Sequence, residues 1–174
     1  MSHEITKFDN VALNRERGWH GLGVVVSEDM GPAQALEIAG LDWEVELATL
    51  EARFADGTVA PVSKRQTIFR KPSRTNPDYI ELGTVGPTYQ LIQNSQLAEM
   101  AYSLGGDVKV ETAGSVRAGA RVWMALRGET FDFGGDIVNS YLMLLNCHEG
   151  IYAFSAYPTT VRVVCNNTLS SSFE

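Results

Sequence analysis

The chain has 174 residues, of which 44% are hydrophobic and 20% charged, and its formal net charge is −7. The length is that of one ordinary domain, and the globular composition excludes a disordered chain and a coiled coil. No apolar run is longer than that over residues 141–145, which is far shorter than the ~20 residues needed to cross a bilayer, and residues 1–10 lack the apolar stretch of a secretion signal. We therefore expect a single domain over residues 1–174, beginning with a loop-rich segment over residues 1–30, in the cytoplasm and without membrane contact.

The first half of the chain predicts one short helix followed by strands. The helix is predicted over residues 32–39, with proline in its first turn and Gly40 after its end. From Trp43 onward apolar and acidic residues alternate, a period-two pattern that is typical of a half-buried strand. Turn-forming residues then separate further predicted strands. The strands of this half lie over residues 43–49, 58–62, 66–70, 79–84 and 89–92.

The second half predicts one well-defined helix and then five strands. Leu97, Met100, Ala101 and Leu104 have the i, i+3, i+4, i+7 spacing of an amphipathic helix, which two glycines end. The strands that follow are predicted over residues 107–113, 120–126, 137–146, 151–157 and 159–165. Residues 141–145 are apolar without alternation, so their strand is expected to be covered on both faces. The predicted fold class is α+β, with a large, antiparallel, strongly twisted sheet of about ten strands and two short helices packed on it.

Short motifs throughout the chain are specific in combination. They are Trp-His-Gly-Leu-Gly over residues 19–23, Gly-Leu-Asp-Trp-Glu-Val over residues 40–45, Leu-Gly-Thr-Val-Gly over residues 82–86 with Tyr89 and Gln93-Asn94, Thr-Ala-Gly-Ser over residues 112–115, and Arg-Val-Val-Cys-Asn-Asn-Thr-Leu over residues 162–169. Over nearly the whole chain these motifs resemble a phage/plasmid-like protein family, found on bacteriophages, prophages and conjugative plasmids, that is classed as a domain of unknown function. The resemblance implies a bacterial host cell, and it implies no particular reaction.

The resemblance has two further implications. Family members usually continue past the Asn-Thr-Leu motif with a long, more helical region, so such a region after residue 174 is expected to be missing from this chain. The order of strands, helix and strands is similar, at the level of the fold, to that of phage single-strand annealing proteins. Fold alone is a weak guide to function, so annealing stays an expectation from this similarity.

Two groups of cationic residues form the predicted nucleic-acid-binding surface. The first group lies in a segment whose charges are all positive. Its members are Lys64, Arg65, Arg70, Lys71 and Arg74. On a later strand, Arg121, Trp123 and Arg127 alternate with apolar residues and are predicted to share one exposed face. Arginines hold phosphates and an exposed indole stacks on bases, which is a sequence-tolerant way to bind single-stranded DNA. Arg117 and Arg162 lie near this face in the predicted meander and can extend it into a groove. The alternative, of about equal weight, is a solvated face whose cations form ordinary ion pairs with Glu44 and Glu46.

Other chemistries have weaker support in the sequence. Cys147, His148 and Cys165 lack the spacing of a metal site, so buried thiols and a turn histidine are predicted there. The alternating carboxylates around Trp43 have a spacing that suits a divalent cation, yet they are also the expected outer face of a half-buried strand. We predict no catalytic residue, no metal and no cofactor.

The leading hypothesis is a non-catalytic protein of phage or plasmid DNA metabolism that binds single-stranded DNA and, as a homo-oligomer, promotes annealing. Two alternatives stay open. One is a protein-interaction or assembly module that binds a host or phage protein through exposed strand edges, for example to counter a host defence. The other is a metal-dependent enzyme with an ion held by carboxylates.

Overall fold

The computed structural model describes residues 5–15, 18, 21–74 and 76–170. These residues form nine strands, three α-helices and a 3₁₀ turn at Arg117–Gly119. In chain order the strands and helices are β1 (Val11–Asn14), β2 (Val24–Val26), α1 (Pro32–Ile38), β3 (Val45–Arg53), β4 (Val59–Arg70), β5 (Ile80–Val85), α2 (Asn94–Ser103), β6 (Val110–Val116), β7 (Arg121–Phe133), β8 (Asp136–Cys147), β9 (Ser155–Thr159) and α3 (Asn166–Ser170). None of these helices has the length and apolar character that a membrane crossing requires. Positions 19 and 20 of the predicted Trp-His-Gly-Leu-Gly loop lie outside the described residues.

The strands form two sheets. Six strands pair in the order β2-β1-β6-β7-β8-β9, and β3, β4 and β5 form a second sheet. All neighbours are antiparallel except β1 and β2, which are parallel. The predicted α+β class with mainly antiparallel pairing is confirmed. The prediction of a single sheet of about ten strands with two helices is wrong.

The second sheet is separate because its strands are close in sequence and its apolar face packs on the first sheet. A hairpin turn with Gly57 at a φ of 87° joins β3 to β4, as the Asp-Gly pair predicted. Val45, Ile68 and Leu82, one from each strand of the second sheet, lie in the same core cluster as Met124 of β7. Burial in this shared cluster removes the apolar side chains of the second sheet from water.

Several predicted strand limits differ from the observed ones. The two strands predicted over residues 58–62 and 66–70 are one continuous strand, β4, whose pairing with β3 is interrupted by a bulge. The two strands predicted over residues 151–157 and 159–165 reduce to β9 at the edge of the first sheet. The segment after β9 leaves the sheet and crosses one of its faces, where Val163 is buried.

Both faces of β7 are covered. Met124 and Leu126 belong to a core that β7 shares with α1, α2 and the second sheet. Trp123 belongs to a second core on the opposite face of β7. Val163, in the segment after β9, and Leu169, in α3, are also buried in this core. The neighbouring strand β8 also contributes to both cores, as its unbroken apolar run predicted.

Gly114 of β6 makes room for the indole ring of Trp123. The two residues are paired across the strands, and a Cβ atom on Gly114 would lie 2.6 Å from a ring carbon. We expect Gly114→Ala to lower the free energy of unfolding by roughly 1–3 kcal/mol, because the ring or the strand must shift. Urea unfolding measures the loss.

The matched control is Gly86→Ala, since no atom would lie within 4 Å of a Cβ at that position. We expect this control to change the free energy of unfolding by less than about 0.5 kcal/mol. An equal loss in the two variants would contradict the close contact between Gly114 and the indole.

Candidate functional site

The prediction of an exposed indole at Trp123 is wrong. The side chain is 0% exposed, and its Nε1 donates a hydrogen bond to Oγ1 of Thr112 at 3.3 Å. Alternate side chains of β7 point into two different cores. The segment after β9 covers the face that was expected to meet solvent, so this face is buried as well. Stacking of a base on Trp123 is therefore sterically blocked in this structure.

The two arginines on the same side of β7 as Trp123 form ion pairs. Nε of Arg121 donates to Oε2 of Glu149 at 2.8 Å, and the guanidinium lies 5.3 Å from the ring centre of Tyr152. Arg127, at the other end of this row, contacts Glu111 and Asp29. The expected surface of two arginines around an indole is therefore not formed.

Arg70, predicted to contact DNA, is buried with 2% exposure. Its Nη1 donates to the carbonyl oxygens of Phe8 at 3.0 Å and Ala118 at 3.3 Å, and its guanidinium carbon lies 4.4 Å from the ring centre of Trp43. Burial lowers the pKa of Arg70 from its ordinary value. The side chain thus ties β4 to the N-terminal segment and the 3₁₀ turn, and the prediction that it reaches nucleic acid is wrong.

The other cations of the first group lie at the surface. Nζ of Lys71 contacts Oε2 of Glu44 at 2.8 Å, and this hydrogen bond lowers the pKa of Glu44 and raises that of Lys71. This pair matches the alternative interpretation, a cation paired with the acidic strand. Lys64 and Arg65 on β4 and Arg74 after it are exposed.

A different set of arginines converges on one polar cavity of about 230 Å³, which we call the arginine pocket. It lies on the face of the first sheet that the segment after β9 crosses. The residues that line it are Asn14, Arg15, Glu111, Arg127, Thr130, Asn139, Tyr141 and Arg162. They come from β1, β6, β7 and β8, which are neighbours in the sheet, and from the two segments that follow β1 and β9.

Glu111 lies at the centre of the arginine pocket. Its Oε1 accepts a hydrogen bond from Nε of Arg162 at 2.6 Å, and its Oε2 accepts from Nε and Nη2 of Arg127, each at 3.3 Å. The side-chain oxygen of Asn14 accepts from Nη2 of Arg127 at 2.9 Å and from Nε of Arg15 at 2.7 Å. These bonds hold three guanidinium groups around one cavity.

Asp29 lies at the rim of the arginine pocket and gives it a second carboxylate. Its Oδ1 is 2.9 Å from Nη1 of Arg127 and 3.6 Å from Nη2 of Arg15, and the hydrogen bond from Arg127 lowers the pKa of Asp29. With Asp29 and Glu111 counted against the three arginines, the formal charge here is +1, in a chain whose total is −7. The arginine pocket is thus a local positive region that an anion can enter.

Sequence reasoning placed Arg127 and Arg162 on one surface, but it found neither the contribution of Arg15 nor the pocket itself. The arginines lie at positions 15, 127 and 162, so no local spacing connects them. What brings them together is the pairing of β1 with β6, β6 with β7 and β7 with β8, which is a non-local property. The alternation of Arg127 with Leu126 was the only local signal available.

The residues weighed for metal binding are separated. Cys147 is buried and Cys165 is half-buried, and both are free thiols. His148 lies in a turn after β8, as predicted, and it is also 0% exposed, with its Nε2 3.2 Å from Oδ1 of Asn94 and its ring 5.8 Å from that of Trp43. Within the described ranges, no three His, Cys, Asp or Glu side chains are grouped so that they could hold a metal ion.

Comparison with known proteins gives one match. A family model described as a domain of unknown function, DUF932, matches residues 81–174, which is more than half of the chain. The matched part runs from β5 to α3 and includes six of the eight residues that line the arginine pocket. Neither the curated proteins nor the solved structures gave a match.

Proposed function

We propose that this chain, which belongs to the DUF932 family, is a non-catalytic protein of phage or plasmid DNA metabolism that binds single-stranded DNA through the arginine pocket. The observation that carries the proposal is the convergence of Arg15, Arg127 and Arg162 on one cavity. A guanidinium group matches the geometry of phosphate oxygens with paired N–H donors and stays charged at any physiological pH. Recognition here is of the phosphate backbone, so it is independent of base sequence.

The exposed part of the arginine pocket indicates how a phosphate would enter. The side chains of Arg15 and Asp29 are 57% and 46% exposed, and their contact is long, at 3.6 Å. An exposed ion pair of this kind contributes little to stability. A phosphate that replaced the Asp29 carboxylate would accept hydrogen bonds from Arg15 and Arg127 at the same time.

Other exposed side chains extend the proposed contact. Lys64, Arg65 and Arg74 remain predicted phosphate contacts on and beside the second sheet. Phe131 and Phe133, near the tip of the hairpin formed by β7 and β8, are 43% and 67% exposed, with ring centres 6.2 Å apart. These rings supply the exposed aromatic surface for bases that Trp123 does not.

The proposal is tested by the fluorescence anisotropy of a labelled oligothymidylate across a salt series. For about three phosphate contacts, the slope of log K against log salt is expected to be about −2. Arg15→Ala should weaken binding about tenfold, and Asp29→Asn should strengthen it by a similar factor, because the first removes a donor and the second a competing carboxylate. Arg53→Ala, an exposed arginine at the end of β3, is the matched control and should leave the affinity unchanged.

Two results would contradict the proposal in different ways. Failure of the unaltered chain to bind at low salt would exclude single-stranded DNA as the ligand. If Arg15→Ala and Asp29→Asn left the affinity for DNA unchanged, the arginine pocket would be excluded as the binding site. Light scattering on the same samples reports the oligomeric state, and a large assembly that forms with DNA would favour annealing over simple coating of the strand.

A further inference from the structure

A cavity with apolar walls lies between α1 and α2. Its volume is about 450 Å³, in the range of ligand-binding pockets. Leu36 of α1, Ala98 of α2 and the adjoining residues Leu41 and Trp43 form these walls, and each is less than 10% exposed. We call this cavity with its rim the acidic groove, for the charges described next.

All the charged residues that line the acidic groove are negative. They are Glu37, Asp42, Glu44 and Glu99, and all four are exposed. Glu44 pairs with Lys71, which lies outside the lining. An apolar floor ringed by four carboxylates, one of which pairs with Lys71, is complementary to a surface that is both apolar and positively charged.

The acidic groove is formed before any ligand arrives. The hydroxyl of Tyr102 in the last turn of α2 accepts a hydrogen bond from the backbone N–H of Ala33 in the first turn of α1 at 3.3 Å. This bond ties the two helices together across the groove. In addition, Nε1 of Trp43 is buried and has no hydrogen-bond partner among the described residues.

We infer that the acidic groove is a docking site for a basic peptide segment that carries apolar side chains. The carboxylates come from α1, from α2 and from the residues just before β3. Because they are spread around the groove, they suit a ligand with several separated positive charges better than one with a single charge. An amphipathic helix laid in a groove between two helices presents charges and apolar groups at this kind of spacing. DNA and anionic membrane surfaces are repelled by the same rim.

The test uses a fluorescent helical peptide of leucine and lysine at amphipathic spacing. We expect saturable binding that weakens with salt, together with a chemical-shift change of the Trp43 indole N–H in NMR spectra. A peptide with glutamate in place of lysine should not bind, and a peptide with serine in place of leucine should bind at least about tenfold more weakly. Equal binding of the serine peptide would overturn the inference, because charge alone would then account for the attraction.

Variants separate the acidic groove from the general negative charge of the chain. Glu37→Lys combined with Glu99→Lys should weaken binding about a hundredfold through like-charge repulsion. Glu51→Lys combined with Glu81→Lys makes the same change of net charge on the exposed second sheet and should reduce binding by less than about threefold. An equal loss in the two double variants would overturn the inference.

A neutral pair of variants tests the shape of the acidic groove. Ala33→Phe adds a ring to a residue that lines it, and we expect an affinity loss of about tenfold or more. Gln34→Phe adds the same ring to an exposed neighbour that does not line it, and the affinity should stay the same. If spermine displaced the peptide completely at equal concentration, the ligand would be a small polyamine and the peptide assignment would be wrong. Ala33→Phe and Gln34→Phe change neither the net charge nor the arginine pocket, so DNA binding should be unaffected in both.

Discussion

Lowering the pH from 6.5 to 4 is expected to reduce the free energy of unfolding by on the order of 3 kcal/mol, because His148 is buried in its neutral form. The side chain is 0% exposed, and burial lowers its pKa from 6.5 to about 4. Its neighbours are the Trp43 ring and the amide of Asn94, neither of which compensates a positive charge. Protonation of the imidazole therefore favours the unfolded chain.

The direction of this pH dependence follows from whether the folded and the unfolded chain bind a proton at His148. Between pH 6.5 and about 4 the unfolded chain holds this proton and the folded chain does not. Stability therefore rises with pH across this window and is lost as the pH falls through it. Above the window both states are neutral at His148, and below it both are charged, so the contribution of this residue stops changing.

Urea unfolding at a series of pH values from 7.5 to about 4 measures the effect, and His148→Gln identifies its source. Glutamine does not titrate, and its amide can donate a hydrogen bond to Oδ1 of Asn94. We expect this variant to lose much less stability on acidification than the unaltered chain does. The same pH dependence in His148→Gln would assign the acid sensitivity to other groups.

Local signals in the sequence predicted the helices and turns well. The helix that contains Leu97 and Ala101 ends at Ser103, just before the two glycines that were predicted to stop it, because its apolar period and its stop signal lie within one short segment. The structure shows the capping directly, with reciprocal hydrogen bonds between Gln93 and Gln96. The hairpin turn at Gly57 was equally local.

The partition of the strands could not be predicted in the same way. Which sheet a strand joins depends on partners far away in sequence, such as Val11 of β1 opposite Gly114 of β6. The amphipathic pattern of β3 and β4 requires that one face be covered, but it does not say whether a helix or another sheet covers it. Convergence of the arginines at positions 15, 127 and 162 depends on the same unpredictable pairing.

The wrong prediction that Trp123 is exposed had a different cause. In this case the sequence around Trp123 did contain a local signal for burial. Residues 122–126 are five consecutive apolar residues, like the run over residues 141–145 that correctly predicted a strand covered on both faces. Ala125 lies between Trp123 and Arg127 on the face that was expected to be wet, and it too is buried. The arginines at the two ends of the run gave the impression of a polar face, although they only mark where β7 leaves the core.

Trp123→Ala is expected to lower the free energy of unfolding by roughly 3–5 kcal/mol, because it removes a fully buried indole and leaves a cavity between Gly114 and the covering segment. Urea unfolding measures the loss. Trp123→Phe should cost less, since most of the apolar contact is kept, although the hydrogen bond to Thr112 is lost.

Phe133→Ala is the matched control for the removal of an aromatic ring, because Phe133 is 67% exposed. We expect this variant to change the free energy of unfolding by no more than about 0.5 kcal/mol, and to weaken the binding of single-stranded DNA if its ring stacks on a base. The opposite pattern, a stable Trp123→Ala variant with weakened DNA binding, would contradict the buried position of the indole. It would also return Trp123 to the exposed, base-stacking role that the alternation along β7 had suggested.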